Sequence, residues 1–272
     1  MSEAQPNYDL ILHSPLLLLA CLKRQLKRSW LLDECNQLFT HIIMSGVKLT
    51  QPEVEAAYIL FKDDTVTWQN LANYVLVNIT SPEDCYIYKW MLEHGADVHF
   101  KDEEGNTPLH LAVKLKIRVM IQVLIEHGAD VNAVNKRMET PIFHSCNFAG
   151  HECAALLLKN HADVNARDYR GNTVLHNVAS FLSDDDVEWV VKAGAKVDAT
   201  NEDGQTPLHL AAMWLGAGAI AVLVANGADV NAVDKNGKTP LDVLGCANMH
   251  LEADAFVKEE CALFLKTAME KK

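Results

Sequence analysis

The sequence predicts an all-α solenoid, an array of stacked helix pairs in which no single pair can bury its own apolar face. Two observations predict it. A pattern that begins with threonine recurs at a constant spacing of 33 residues, and each copy carries signals for two helices with apolar residues at helical spacing. A period of this length is the signature of a repeat architecture. The opening threonines are Thr107, Thr140, Thr173, Thr206 and Thr239.

Each repeat begins with a helix start signal. The threonine is a good N-cap, and the proline that follows it, as at Pro108 and Pro207, lacks an N–H that the first helical turn leaves unbonded in any case. A second helix, such as 119–126, ends at a glycine position, where left-handed backbone is favourable. The connecting stretch then turns at Asp-x-x-Gly, as at Asp168 to Gly171.

The repeat motifs resemble those of the ankyrin-repeat family. They read TPLH at 107–110 and 206–209 and GADVNA at 128–133 and 227–232, and the resemblance covers about residues 81–270. It implies an L-shaped stack of helix pairs with projecting β-hairpin turns. It also implies that a histidine three residues after the threonine braces adjacent repeats through backbone hydrogen bonds. These histidines are His110, His176 and His209.

Two repeats depart from the motif. In the first, Phe143 stands where the histidine is expected, Met138 occupies the glycine position of the turn, and His161 occupies the terminal glycine position. In the second, Gly216 and Gly218 weaken the start of the second helix, because glycine has low helix propensity. We expect local softness or a bend in the array at these places.

Residues 1–80 follow the repeat pattern only loosely. Segment 14–20 resembles a degenerate copy of the repeat opening, and about a helix and a half of additional chain follows it. Terminal repeats are often atypical because one of their faces meets water. We therefore predict a divergent helical N-terminal cap of one or two irregular repeats over 1–80, and a repeat array with a C-terminal capping helix over 81–272.

Composition constrains the partners and the compartment. The net charge of -12 repels nucleic acid phosphates and favours neutral or basic partners, so we expect no nucleic-acid partner. Seven scattered cysteines without a CxxC pair suit a reducing compartment. The longest apolar run, 15–22, is too short to span a membrane, and the basic residues at 23–28 are interpreted as a solvated helix face. We expect a cytoplasmic monomer; a nuclear location, or the host cytosol for a secreted effector, are the alternatives.

The position eight residues after the threonine holds a large apolar residue in four repeats. It resembles a partner-contacting position on the concave face of ankyrin-repeat proteins that the core of the repeat does not require. An ordered row of exposed apolar groups predicts a binding groove, because soluble monomers rarely keep one without a use. The alternative is that each side chain packs on the second helix. The row, here called the ladder, is Leu115, Phe148, Phe181 and Trp214, with Met213 beside it.

The tips of the predicted hairpins form a second candidate surface. Their charges vary although the surrounding motif repeats, and acidic tips at 103–104 and 202–203 flank basic ones in the middle. This variation indicates a role in specificity. Ordinary solvated turn chemistry is the alternative. The candidate binding residues of the tips are Lys136, Arg137, Tyr169 and Arg170.

Three Asp-Val-Asn segments are candidate modification sites. They resemble the sequences that an intracellular asparaginyl hydroxylase modifies in ankyrin-repeat proteins. The alternative is that the asparagines are purely structural residues of the turn. The asparagines are Asn132, Asn165 and Asn231.

Metal binding and catalysis are not favoured. Histidine and cysteine residues between 144 and 153 are of types that zinc prefers, but three of them occupy positions that hold aliphatic residues in other repeats, so we expect a core role and no metal. A Cys–His pair such as Cys35 with His41 lacks a supporting motif, and no Gly-rich phosphate loop is present, so we expect no cofactor. The zinc-like residues are His144, Cys146, His151 and Cys153.

Together these patterns predict a non-catalytic protein–protein interaction scaffold, an adaptor or inhibitor, that binds a partner protein of unknown identity in the groove. Two alternatives stay open. One is a bacterial effector that uses the array to capture a host protein; its only local hint is the charged C-terminus 252–272. The other is an enzyme or other activity within residues 1–80, which combined substitution of Cys21, Cys35 and His41 would test.

Overall fold

The chain of 272 residues divides into two compact units, Met1–Phe100 and Lys101–Lys272. Nearly all of the predicted N-terminal cap, together with Cys146, Phe148 and Phe181, lies outside the residues that the structure describes. The predicted boundary after residue 80 therefore stays a prediction. The structure is a computed structural model that describes residues 69, 72–73, 76–77, 85–145, 151–180, 184–246 and 254–270.

In the first unit, hydrogen bonds fix the position of helix α1 (Cys85–Glu93) and of the turn that follows it. The Tyr88 hydroxyl donates a 2.7 Å hydrogen bond to the backbone oxygen of Leu76, and burial raises the pKa of Tyr88 above its usual range. Asn73 Oδ1 accepts a 2.8 Å hydrogen bond from the backbone N–H of Asp97. These bonds tie the helix to Leu76 and the turn after it to Asn73.

The second unit consists of repeats with a first and a second helix. The first helices pack one against the next along the array, and second helices pack beside one another. No β-strand occurs in the described part of the chain. This arrangement confirms the predicted all-α repeat solenoid. In chain order its elements are α2 (Pro108–Lys114), α3 (Arg118–Glu126), a 3₁₀ helix (Pro141–His144), α4 (His151–Lys159), α5 (Val174–Ser180), α6 (Asp184–Lys192), α7 (Pro207–Met213), α8 (Ala217–Ala225) and α9 (Asp254–Glu270).

Buried histidines connect successive repeats. His110 donates from Nε2 to the backbone oxygen of Glu139, and His176 and His209 make the same bond to the repeat that follows each of them, all at 3.0 Å. Nδ1 of each histidine accepts a 3.1 Å hydrogen bond from the backbone N–H of the threonine that begins its helix. Each neutral ring therefore caps its own helix and holds the next repeat, which confirms the predicted brace.

The repeat that begins at Thr140 lacks this brace because Phe143 replaces the histidine. Thr140 Oγ1 and His144 Nε2 are buried without a hydrogen-bond partner among the described residues. The first helix of this repeat is a 3₁₀ helix of 4 residues, whereas α2 has 7. The repeat pattern predicts a regular α-helix here, and the structure corrects it. Without the histidine cap, the first turn closes with the shorter hydrogen bonds of a 3₁₀ helix.

The final repeat also lacks a regular first helix, because residues 240–245 form consecutive turns. Asp242 replaces the histidine, and its Oδ2 accepts a 2.8 Å hydrogen bond from the Thr239 N–H, which lowers the pKa of Asp242. Gly245 ends the turns with a left-handed φ of 73°. Helix α9, with 17 residues, then occupies the segment where the capping helix is predicted.

Gly218, in the first turn of α8, has a packing role. A Cβ at this position would coincide with the carboxylate of Asp184, the first residue of α6 in the preceding repeat. The glycine leaves space for that side chain. A residue with higher helix propensity would be excluded here, because its Cβ would clash in the contact between the second helices α6 and α8.

His161 and Met138, which replace expected glycines, adopt left-handed backbone with φ values of 69° and 57°. This conformation costs a residue with a Cβ about 1 kcal/mol relative to glycine. Gly128 occupies the position of His161 one repeat earlier, with a φ of 85°. The repeat at Thr140 thus combines a missing brace with unfavourable backbone.

We expect His161→Gly to stabilise the protein by about 0.5 kcal/mol, because the relief of backbone strain exceeds the added freedom of the unfolded chain. His161 is exposed, so little packing is lost. The matched control is Gly128→Ala, since no atom lies within 4 Å of the added Cβ and only the backbone conformation is penalised. Midpoints of urea unfolding should move in opposite directions for the two variants. A lower midpoint for His161→Gly would show that the side chain has a structural role.

Candidate functional site

The ladder residues that the structure describes each end a first helix. Leu115 is the C-cap of α2 and Trp214 is the C-cap of α7. Both side chains are 40% exposed, whereas Ala112 and Ala212, within the same helices, are 1% and 0% exposed. Met213, the last residue of α7, is half-buried. Leu115 and Trp214 therefore belong to the surface at equivalent positions of separate repeats.

Each hairpin turn is shaped by the aspartate or asparagine that begins it. Asp168 Oδ1 accepts 2.8 Å hydrogen bonds from the backbone N–H groups of Arg170 and Asn172. The backbone N–H of Asp168 donates to the oxygen of Asn172 at 2.9 Å. The same pattern occurs in each of the other hairpins, so the side chain fixes the turn. These other first residues are Asp102, Asn135, Asn201 and Asp234.

Consecutive hairpin tips are joined by a backbone hydrogen bond. The N–H of Tyr169 donates to the backbone oxygen of Arg137 at 2.9 Å, and the N–H of Glu202 donates to that of Arg170 at 2.9 Å. Equivalent bonds join the first tip to the second and the fourth to the fifth. The tips therefore form one continuous row with a fixed register, which the sequence pattern does not reveal.

The candidate binding residues of the tips are all exposed. The guanidinium carbon of Arg170 lies 5.3 Å from the ring centroid of Tyr169, a cation–π distance. Tyr169 is 48% exposed. In the part of the chain that the structure describes, Lys136, Arg137 and Arg170 form no salt bridge. Their charges are therefore available at the surface.

The three asparagines differ in their bonding. Asn132 accepts a 2.9 Å hydrogen bond from the N–H of Asp163 and donates one of 3.1 Å to the oxygen of His161. Asn165 makes the same pair of bonds to its next repeat. The backbone N–H of Asn231 donates to Oδ1 of Asp229 at 3.1 Å, a bond within the turn that Asn132 and Asn165 also make in addition to their bonds between repeats. Hydroxylation stays a prediction, and an enzyme would have to break two bonds between repeats to extract Asn132 or Asn165.

Three of the four zinc-like residues, His144, His151 and Cys153, lie within the part of the chain that the structure describes. Cys153 is 2% exposed, and burial raises the pKa of its thiol. His144 is half-buried, and burial lowers its pKa. Within the described residues, no group of three or more His, Cys, Asp or Glu side chains could hold a metal ion.

His151 makes a contact that the sequence analysis missed. Its Nε2 lies 2.5 Å from Oδ1 of Asp186, which is 3% exposed, and its ring stacks on Trp189 at 5.3 Å. The bond links α4 to α6 in the next repeat. It joins positions that are not equivalent in the two repeats, so the period carries no signal for it.

A groove with a volume of about 570 Å³ lies between α3 and α4. Leu156 and Ile125 are among the apolar residues that line it, and Arg118 and Glu152 form a salt bridge of 3.5 Å at its edge. Helix α4 belongs to the repeat with the 3₁₀ first helix, one of the two places where the sequence predicts local softness or a bend in the array. The other lining residues are Gln122, Glu126, Ala155, Lys159 and Asn160.

Comparison with known proteins agrees with this architecture. A family model described as ankyrin repeats (3 copies) matches residues 77–168, 119–201 and 175–257, together more than half of the chain. No curated protein matches the sequence. No helix in the described ranges is both long and apolar enough to cross a membrane. Ankyrin repeats are protein–protein interaction modules, and this chain belongs to the ankyrin-repeat family.

Proposed function

We propose that the chain is a non-catalytic adaptor or inhibitor that binds a partner protein across the ladder and the neighbouring hairpin tips, as a monomer in the cytoplasm. The observation that carries the proposal is the equal exposure of Leu115 and Trp214, 40% each, at equivalent helix ends. A single exposed apolar side chain needs no explanation, but equivalent ones in separate repeats indicate a surface with a use.

The chemistry of this surface suits an interface. Tryptophan is among the residues that most often dominate interface energy, and the thioether of Met213 adapts to irregular partner surfaces. The histidine braces and the bonds between hairpin tips hold the repeats in place. A surface that is already ordered loses little conformational entropy when a partner binds.

The test is affinity capture from cell lysate with the complete chain and a Leu115→Ala, Trp214→Ala variant. We expect proteins captured by the wild type to bind the variant at least about tenfold more weakly, because anchor residues have been removed. The matched control is Val119→Ala, Val233→Ala. These valines are 56% and 60% exposed and lie outside the ladder.

Circular dichroism and urea unfolding must first show that both variants are folded. Purified partners are then titrated to obtain dissociation constants. If the same proteins bind the ladder variant and the wild type equally, the ladder is not the binding site. If the control variant loses them as well, the effect is not specific to the ladder.

A further inference from the structure

We propose that the second and third hairpin tips bind a short acidic segment of the partner protein that contains an apolar residue between carboxylates. The site consists of Lys136, Arg137, Met138, Tyr169 and Arg170, here called the basic tip patch. This inference rests on the proposed function, because it names the chemistry of the partner that the interaction module binds.

Two cations outside the patch bond to the backbone of the neighbouring hairpin, and no such bond is made by the patch cations within the described residues. Lys101 donates from Nζ to the backbone oxygen of Val134 at 2.8 Å, and Arg167 donates to that of Thr200, so these two cations hold neighbouring hairpins together. The three cations of the patch form no salt bridge with described residues. Their availability in a chain with a net charge of -12 favours an acidic ligand at this place.

The patch also offers apolar contact and fixed geometry. Tyr169 and Met138 are 48% and 53% exposed. The guanidinium of Arg170, 5.3 Å from the Tyr169 ring centroid, presents the planar donors that match a carboxylate. The hydrogen bond of 2.9 Å between Tyr169 N and Arg137 O places the two tips side by side. The apolar residue of the ligand can therefore contact the Tyr169 ring and the Met138 thioether while the flanking carboxylates bind the cations of the patch.

The neighbouring tips limit the length of the ligand. Glu104 accepts a backbone hydrogen bond of 3.0 Å from Lys136, and Glu202 donates one of 2.9 Å to Arg170, so acidic tips adjoin the patch on both sides. Hydrogen-bonded backbones lie about 5 Å apart, and an extended chain advances about 3.3 Å per residue. The two acidic tips are three such spacings apart, about 15 Å, so the acidic segment should have about four or five residues, with neutral or basic residues before and after it.

The acidic flanks and the overall charge disfavour a nucleic acid. A phosphate backbone continues in both directions and would meet the acids at 103–104 and 202–203. A short peptide can place its carboxylates only on the patch and basic residues on the flanks. We therefore commit to a peptide ligand, and nucleic acid binding is one of the outcomes of the test.

The probe is a fluorescent peptide, Lys-Gly-Glu-Asp-Phe-Glu-Asp-Gly-Lys, titrated with the complete chain while its anisotropy is measured. We expect binding that weakens as NaCl rises from about 0.05 M to about 0.5 M. A scrambled peptide of the same composition, with the lysines and glycines placed between the acids, should bind about tenfold more weakly. Arg137→Glu, Arg170→Glu should also bind the probe at least about tenfold more weakly, because each reversal turns attraction into repulsion.

The matched control is Lys235→Glu, Lys238→Glu, which makes the same change in net charge at the fifth tip and should leave binding unchanged. Equal loss in both double variants, or equal binding of the scrambled peptide, overturns the proposal. So does tighter binding of a thymidine oligonucleotide than of the peptide. If no peptide binds but protein capture through the ladder succeeds, only this inference fails; loss of capture itself refutes the proposed function.

Discussion

At a pH of about 5 the protein is expected to be about 4 kcal/mol less stable than at a pH of about 7.5, because two of the bracing histidines must stay neutral in the folded state. His110 and His176 are 1% and 0% exposed. Burial lowers the pKa of each to about 4 from the ordinary 6.5. Each shift contributes about 2 kcal/mol to the difference at this pH.

The sign follows from proton binding. Between pH values of about 6.5 and 4 the unfolded chain binds protons on these histidines and the folded chain does not, so stability is complete above about 6.5 and is lost as the pH falls toward 4. The lowered pKa of His144 acts in the same direction. The carboxylates of Asp234 and Asp242 have lowered pKa values, so their contribution is lost only below about 3.8. The histidines and the aspartates therefore change the stability of the protein in different pH ranges.

Urea unfolding at several pH values measures this effect, and the Cε1 proton resonances of the histidines report their titration directly. We expect the resonances of His110 and His176 to stay unshifted until the pH approaches about 4. His110→Gln keeps a polar side chain without a titrating group, so its stability should depend less steeply on pH than that of the wild type. Titration of both rings near 6.5, or a constant midpoint, would contradict the explanation.

The parts of the fold that depend on local chemistry were predictable from the sequence. Threonine–proline helix starts, histidine braces and Asx-type hairpin turns require only residues within one repeat or at a fixed spacing, so a period of 33 residues locates all of them. The 3₁₀ helix of Pro141–His144 and the turns at 240–245 were not predictable in this way. The 3₁₀ helix depends on hydrogen bonds that Phe143 cannot make in place of a histidine. The turns depend on the hydrogen bond that Thr239 donates to the carboxylate of Asp242.

The same distinction between predictable and unpredictable features applies to the candidate site. The charges of the hairpin tips and the apolar position at Leu115 and Trp214 can be read from the period, because equivalent positions face the same side in every repeat. The bonds between successive tips recur at a fixed spacing, but they join backbone atoms, so no residue type in the sequence marks them. The contact of His151 with Asp186 joins positions that are not equivalent in the two repeats. Such contacts arise from how one repeat is placed on the next, and that placement is a tertiary property.

His209→Phe is expected to destabilise the last repeats by about 3 kcal/mol, because it reproduces in a regular repeat the substitution that the chain carries at Phe143. His209 is 0% exposed and bonds to Thr206 N at 3.1 Å and to Lys238 O at 3.0 Å. The change would leave the buried N–H and hydroxyl of Thr206 without partners, and each such group costs about 1–3 kcal/mol. Because repeat arrays need not unfold in one step, amide hydrogen exchange across 206–246 is the measurement.

The reciprocal variant, Phe143→His, tests whether the histidine brace is the cause. It should give the buried Thr140 hydroxyl a partner and supply a second donor to the oxygen of Asn172, which accepts a 2.9 Å hydrogen bond from Asp168 N. We expect a stabilisation of about 1 kcal/mol, as for one net hydrogen bond, and slower exchange in the repeat at Thr140. If neither His209→Phe nor Phe143→His changes stability or amide exchange, apolar packing and not the histidine brace holds the repeats together. That result would also contradict the explanation of acid sensitivity by the histidines.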